Sequence, residues 1–375
     1  MAYTAEEKAL LWLSAAEVSV AHQQKLIDRF GSAEGVWAAG DESLSGDAKT
    51  GQTLKRLHSR EAMERMVERL EKCNIRVLFR HSPEYPELLG CIQDAPNVLY
   101  CAGNLGALSH PCVSIVGTRH PSEYGREMAR NIAHGLAEHE VTVVSGLAKG
   151  IDGAAHEGAL AGGGRTVAVL GCGLNVVYPA ENRSLYRAVV EQGGLLLSEY
   201  PMDAEPLTYH FPLRNRIIAG LSRALVFVEG RIRSGGMLTV GLALDAGREV
   251  FAVPGRVGFS VSEGPHAIIR EGARLVTCAE DVLEDMGAVL CRPAQAPPRP
   301  DWTQAQAAIL RELSRDALLL GQLSERTHIG ADALQNELSL LEIDGVVRRE
   351  AGSRYAICPE KAGTLELEEK EDADE

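Results

Sequence analysis

The sequence predicts an α/β protein with a doubly wound, mostly parallel sheet. A small helical domain precedes the sheet, and a unit of three helices and a hairpin follows it. Three observations lead there. Between residues 73 and 288, short runs rich in Val, Ile and Leu alternate with helical segments. Near-continuous apolar strands between helices mark a parallel sheet covered on both faces. Before and after that stretch, apolar residues fall at helical spacing instead.

In chain order, Ala9 to Leu13, then Leu26, Ile27 and Phe30, then Val36 and Trp37, read as helices punctuated by Gly31, Gly35 and Gly40. Arg60 to Lys72 places Met63, Met66, Val67 and Leu70 on one helical face. Trp12 and Trp37 read as core. These elements define a helical domain over 1–72. The strand candidates of the sheet domain, 73–288, begin at Cys112, Val141, Thr166, Leu195, Ala224, Glu249 and Ala273. Helices are expected over Glu123–Glu138, Ile151–Leu160, Glu181–Glu191 and Leu238–Ala246. A Pro-rich linker follows over 289–302. Helices over Gln304–Leu313, Leu318–Thr327 and after Gly330, then a hairpin from Val346 to Ile357, make a winged-helix pattern over 303–359. The acidic tail, 360–375, is expected to be disordered.

Composition narrows the function. The formal charge is −14, from 38 Lys and Arg against 52 Asp and Glu. A uniformly basic coat for nucleic acid is excluded, but a local basic patch is not, because a partner feels the nearby field. The eight cysteines form no CxxC pair, so a zinc ribbon is not expected. His156, His210 and His266 are isolated, and no metal or cofactor is expected. The N-terminus lacks the basic and apolar regions of a signal peptide, and no apolar run is long enough to span a membrane. A cytoplasmic protein with reduced thiols is expected.

Ligands of doubly wound sheets bind at the carboxyl ends of the strands, near the point where the strand order reverses. Several strands here end in loops of small residues. The first loop is Gly117-Thr118-Arg119. It reads as an anion cradle with a bidentate phosphate partner, or as a turn glycine beside a solvated arginine. The second holds Ser145, Gly146, Lys149 and Gly150, with Asp152 opening the next helix. The third, from Gly171, lacks the last glycine of a dinucleotide fingerprint, because Val176 stands there. A fourth, Ser234-Gly235-Gly236, opens a helix. Neighbouring loops of this kind argue for a phosphate-lined edge.

The most informative segment runs from Leu207 to Arg233. Arg214, Arg216, Arg223, Arg231 and Arg233 face only Glu229 there, a local balance of +4. Phe211 precedes Pro212 within it. An aromatic among arginines suits a single strand, whose bases stack while cations hold the phosphates. The same Phe211 also fits a hydrophobic staple on the helix beginning near Pro212. Asn215 can cap, or read a base or sugar edge. No nucleophile elbow and no Walker lysine are present.

The runs Ser114-Ile-Val-Gly-Thr-Arg, Ser145-Gly-Leu-Ala-Lys-Gly-Ile-Asp-Gly-Ala-Ala-His and Tyr178-Pro-Ala-Glu-Asn resemble the DNA-processing protein A family. So do Leu197-Ser-Glu-Tyr-Pro, His210-Phe-Pro-Leu-Arg-Asn-Arg-Ile-Ile-Ala-Gly-Leu-Ser and Phe251-Ala-Val-Pro-Gly. Order and spacing agree over about 80–280. The resemblance implies an extended Rossmann-like core, a SAM-like helical front end and a winged-helix back end. It implies a recombination mediator rather than an enzyme. Such a protein binds single-stranded DNA, loads the RecA recombinase during natural transformation or repair, and works as a homodimer. By the same resemblance Gly117, Thr118 and Arg119 hold phosphates, and Phe211 stacks on a base beside Arg214 and Asn215. The loop argument adds Ser145, Gly146, Lys149, Gly150, Arg216 and Gly235. The dimer surface falls around His266, Ile269 and Leu275.

Some positions depart from the pattern. Thr208, Tyr209 and His210 stand where a basic residue is common, so one phosphate contact is missing or Tyr209 replaces it by stacking. Gly264-Pro265-His266 replaces a small residue and Asn after the glycine. Two other functions fit the sequence less well. A nucleoside-monophosphate-processing enzyme of the lysine-decarboxylase-like group needs a Glu where Leu242 stands, and leucine carries no charge. A winged-helix transcription regulator needs donors on its recognition helix, yet Ala331–Ile343 holds no Arg or Lys. Arg348, Arg349 and Arg354 leave the hairpin able to touch a backbone, so that unit reads as accessory, with a protein-contact role.

Overall fold

A computed structural model of the chain describes residues 3–40, 48–287, 302–314, 316–343, 346–350 and 353–358. The expected linker up to Asp301 and the acidic tail lie outside the described residues. The chain divides into two compact units, Met1–Arg292 and Pro293–Glu375.

The first unit opens with α1 (Ala5–Ala15), whose N-terminus is closed by a reciprocal capping box between Thr4 and Glu7. There follow α2 (Val20–Phe30), α3 (Ala33–Ala39), α4 (Ala48–Leu57) and α5 (Arg60–Lys72). Trp12 is fully buried, donates its indole N–H to the Leu54 carbonyl at 3.0 Å, and meets Trp37 edge-on at 5.0 Å. Both tryptophans belong to the core, as their spacing predicts. The packing does not break at residue 72. Leu11, Trp12, Leu13 and Leu70 share one apolar cluster with Tyr100, Ala168, Leu170 and Leu196 of the sheet. Ser14 and Tyr100 join hydroxyls at 3.1 Å within it.

The sheet elements follow: β1 (Arg76–Phe79), α6 (Glu87–Gly90), β2 (Val98–Gly103), β3 (Cys112–Val116), α7 (Glu123–Glu138), β4 (Thr142–Ser145), α8 (Ile151–Ala161) and β5 (Thr166–Leu170). The chain continues through α9 (Arg183–Glu191), β6 (Leu195–Ser198), α10 (His210–Leu221), β7 (Ala224–Phe227), α11 (Gly235–Asp245), β8 (Glu249–Ala252), α12 (Glu263–Arg270), β9 (Arg274–Leu275) and α13 (Ala279–Asp285). The order across the sheet is β1-β2-β6-β5-β4-β3-β7-β8-β9. From β6 to β9 all neighbours are parallel, while β1 and β2 pair antiparallel at one edge. The doubly wound prediction therefore holds, and two antiparallel strands extend it. Neither was expected, because no crossover helix announces a strand there. Alternate residues of the parallel strands feed two cores. Val113, Ile115, Val143 and Val226 pack under α7 and α8, while Val144, Val167, Leu225 and Phe227 pack under α10 and α11. The α11 helix begins three residues earlier than its apolar pattern suggests, because Ser234 caps it through the Met237 N–H.

The second unit contains α14 (Gln304–Leu313), β10 (Leu318–Leu319), α15 (Leu320–Thr327), α16 (Ala331–Ile343), β11 (Val347–Glu350) and β12 (Arg354–Ile357). Its three strands run in the order β10-β12-β11. Ile309, Leu310, Leu323, Leu334, Leu338, Leu341 and Tyr355 close its core. This is a winged helix. Leu318 and Leu319 pair with Tyr355 and Arg354, so the second helix starts two residues later than expected.

Candidate nucleic-acid interface

The strand order reverses beside β3, with β4 on one side and β7 on the other. The loops that leave these strands form the candidate site. A side chain at Gly117 would place its Cβ 2.6 Å from Ile151 and 2.8 Å from the Glu229 carbonyl, so only glycine fits. Thr118 donates its N–H to that carbonyl at 2.7 Å, joining the β3 loop to the β7 loop. Arg119 then emerges exposed, with its guanidinium carbon 5.6 Å from the centroid of the Phe211 ring. That is the distance of a cation over an aromatic face.

The β4 loop is shaped by buried polar groups. Ser145 is wholly buried and donates to the Ile115 carbonyl at 2.6 Å. Gly146 gives its N–H to Asp152 Oδ2 at 3.2 Å and its carbonyl to Arg214 Nη1 at 2.8 Å. Leu147 holds the left-handed conformation, φ 54°, and donates its N–H to His156 Nε2 at 3.3 Å. Thr166 spends its hydroxyl proton on the Val143 carbonyl at 2.7 Å, so the other imidazole nitrogen, 2.7 Å from Thr166 Oγ1, is the one that carries hydrogen. Burial, helped by the Arg214 charge, pushes His156 down to about 3. Asn182 donates to the carbonyls of Leu147 and Ala148 at 2.9 and 3.1 Å. Gly150, at φ 84°, passes so close to the Thr118 carbonyl that a Cβ would sit 2.4 Å from it. The loop is thus fixed from below, and Lys149 on its outer rim faces solvent.

The aromatic element comes from the first turn of α10. His210 turns inward, stacked on Tyr200 with centroids 3.9 Å apart, and the next residue, Phe211, turns outward and is half-buried. Its ring lies on Gly171, where a Cβ would be 2.9 Å from Cδ1, and the Tyr178 ring stands 5.3 Å away. Arg119, Gly146, Ala148, Lys149, Tyr178, Pro179 and Phe211 line a cleft of about 60 Å³. Tyr178 is absent from the sequence-based site. Its signal was the Tyr-Pro pair, which identified the family but suggested no role in the loop.

Several residues of the expected site and patch lie deeper, or are more fully engaged, than the sequence suggests. Arg214 is 3% exposed, and its Nη1 donates to the carbonyls of Gly146 and Val169, so those donors are not offered to phosphate. Burial pushes Arg214 down and Asp152 up, each opposed by the other's charge. Arg216 is engaged by both carboxylate oxygens of Glu199, at 2.7 and 2.8 Å, in a half-buried pair. Ser145 is wholly buried and shapes the loop from inside, while Gly146, also buried, borders the cleft. Arg223 does not join the patch either, because it precedes β7 and lies at the amino end of the sheet. Asn215 accepts from Arg214 Nε at 3.3 Å.

The remaining residues lie at or near the surface. Lys149 is exposed and paired with Glu181, a surface pair that costs little to open. Gly235 is exposed in the first turn of α11. Tyr209 is 57% exposed beside the site. Away from the loops, His266 Nε2 lies 2.8 Å from the Gly255 carbonyl and 3.3 Å from the Gly255 nitrogen, Ile269 is half-buried, and Leu275 is 51% exposed on the edge strand β9. Among the described residues, no group of three His, Cys, Asp or Glu is arranged to hold a metal, and no helix is long and apolar enough to cross a membrane.

Comparison with known proteins agrees with this fold. A family model described as DNA recombination-mediator protein A matches residues 76–287, and one described as the DprA winged helix domain matches residues 293–353. Protein Smf of Escherichia coli is 44% identical over 243 residues, which is 64% of this chain and 65% of that protein. The X-ray structure of DNA processing protein A from Streptococcus pneumoniae superposes with a TM-score of 0.66 at 35% identity, covering 76% of this chain and 99% of that one. DNA processing protein A from Helicobacter pylori, solved to show its single-stranded DNA binding mode, superposes with a TM-score of 0.52 at 29% identity. That match covers 56% of this chain and 95% of the other.

Proposed function

The chain belongs to the DNA recombination-mediator protein A family, and from that premise we propose that it binds single-stranded DNA along the loops of β3 and β4 and presents it to the RecA recombinase. The observation that carries this is the half-exposed Phe211 ring with the Arg119 guanidinium beside it. A base stacks on the ring while Arg119, the Thr118 rim, Lys149 and Gly150 meet the flanking phosphates. Stacking tolerates any base, because every base has a π face, so a strand is held without being read. The site needs an unpaired base, which disfavours duplex. Binding rather than catalysis fits α11, where Leu242 packs half-buried against the core. The chain acts in the cytoplasm, in natural transformation or recombinational repair. It works as a homodimer through the His266, Ile269 and Leu275 face. The winged helix is an accessory, protein-contacting unit.

The test is a titration of labelled oligothymidylate and the matching duplex at two salt concentrations. The single strand should bind better than the duplex, its affinity should fall with salt, and Phe211→Ala should weaken it by about 1–3 kcal/mol. No binding, or equal binding by Phe211→Ala, refutes the site. RecA filament formation on the bound strand then tests the loading step.

A further inference from the structure

A second aromatic–arginine pair stands on the same edge of the sheet, beyond the switch point. The loop after β8 turns through Arg256-Val257-Gly258-Phe259. Phe259 donates its N–H to the Arg256 carbonyl at 3.3 Å, and Gly258 holds φ 89°, the conformation a type II turn needs at its third position. The turn brings the side chains of its end residues together, with the Arg256 guanidinium carbon 5.2 Å from the Phe259 ring centroid. The ring is 49% exposed. This repeats the pairing of Arg119 with Phe211.

The ground between the two pairs is stitched together. Thr118 N–H bonds to the Glu229 carbonyl at 2.7 Å, and Gly230 N–H bonds to the Val261 carbonyl at 2.7 Å, so the β3, β7 and β8 loops form one ridge. Tyr124 reaches across it, its hydroxyl 2.8 Å from the Pro254 carbonyl. Glu229, the acid in the middle, turns inward and spends both oxygens on Ser122, at 2.6 and 2.8 Å. Arg231 and Arg233 stand exposed on the β7 loop. Among the described residues, neither they nor Arg256 make an ion pair.

We propose that Arg256 and Phe259 form a second base-stacking station for the same single strand, with Arg231 and Arg233 holding phosphates between the two. This rests on the single-strand reading above. Phe211 lies over the β5 loop and Phe259 on the β8 loop, four strands apart, so at about 4.8 Å per strand the stations are about 19 Å apart. At the 3.4 Å rise of a stacked strand that is about six nucleotides.

Strand length therefore tests it. Binding of wild type, Phe259→Ala, Arg256→Ala and Phe211→Ala is measured with oligothymidylates of about five and about fifteen nucleotides. Phe259→Ala should leave the short oligomer unchanged and weaken the long one about tenfold. Arg256→Ala should lower the salt slope for the long oligomer alone, by about 0.7. Phe211→Ala should weaken both. If Phe259→Ala and Arg256→Ala bind the long oligomer like wild type while Phe211→Ala does not, the second station is refuted and the first stands. If wild type binds neither oligomer, the single-strand reading itself fails, and this proposal with it.

Discussion

His156 should set an acid limit on the fold. It sits wholly buried under the β4 loop and holds the Leu147 N–H through Nε2. A proton on Nε2 would remove that acceptor and place a charge against Arg214. The folded chain therefore keeps the ring neutral down to about pH 3, whereas the unfolded chain protonates it near 6.5. Below 6.5 the unfolded state binds the extra proton, so stability is complete above that pH and is lost as pH falls toward 3. Each pH unit in that window costs about 1.4 kcal/mol, so lowering pH from 7 to 5 should remove about 2 kcal/mol through this one residue. Buried carboxyls such as Asp152, pushed up by burial, contribute with the opposite sign, so the wild-type curve alone does not isolate His156. Urea unfolding of wild type and His156→Gln across pH 5–7 does, because the amide cannot titrate. The two stability curves should converge by about 2 kcal/mol toward pH 5. Parallel curves would refute the buried neutral ring.

Other outcomes follow from the same geometry. Arg214→Ala leaves Asp152 buried without its counter-charge and should cost about 3–5 kcal/mol in urea unfolding; Arg119→Ala should leave the urea midpoint unchanged and lower the salt slope of single-strand binding by about 0.7. Equal behaviour of the two variants would refute the division between a buried and a ligand-facing arginine. Gly171→Ala puts a methyl 2.9 Å from the Phe211 ring and should weaken oligonucleotide binding several-fold, with the far-ultraviolet spectrum unchanged. Trp12→Phe strands the buried Leu54 carbonyl and should cost about 1–3 kcal/mol, read in the same unfolding assay.

The parallel sheet was legible because its strands are covered on both faces and written as unbroken apolar runs. β1 and β2 were not, because an antiparallel pair at an edge needs no crossover helix to announce it. Within the site, the glycines and Phe211 could be placed, since small residues after a strand and an aromatic before a proline are local signals. The fates of Arg214 and Arg216 could not. One turn of helix decides whether an arginine faces solvent or the carbonyls of Gly146 and Val169, and sequence shows only that a charge is present. Glu199, which neutralises Arg216, lies 17 residues earlier, on the far side of a loop. Long-range pairing of this kind was invisible, and it turns part of the apparent basic patch into scaffolding.

The apolar cluster that runs from α1 into β2, β5 and β6 makes the front helices and the sheet a single cooperative unit. Amides of α1 and of β5 should then exchange with solvent through the same opening event, at a common free energy, rather than α1 fraying first. A chain cut at residue 73 would bare Tyr100, Leu170 and Leu196 and would tend to self-associate. The helices that look like an appendage in the sequence thus behave as a lid on the core, and shortening the protein from its front end would cost solubility before it disturbed the loops of β3 and β4.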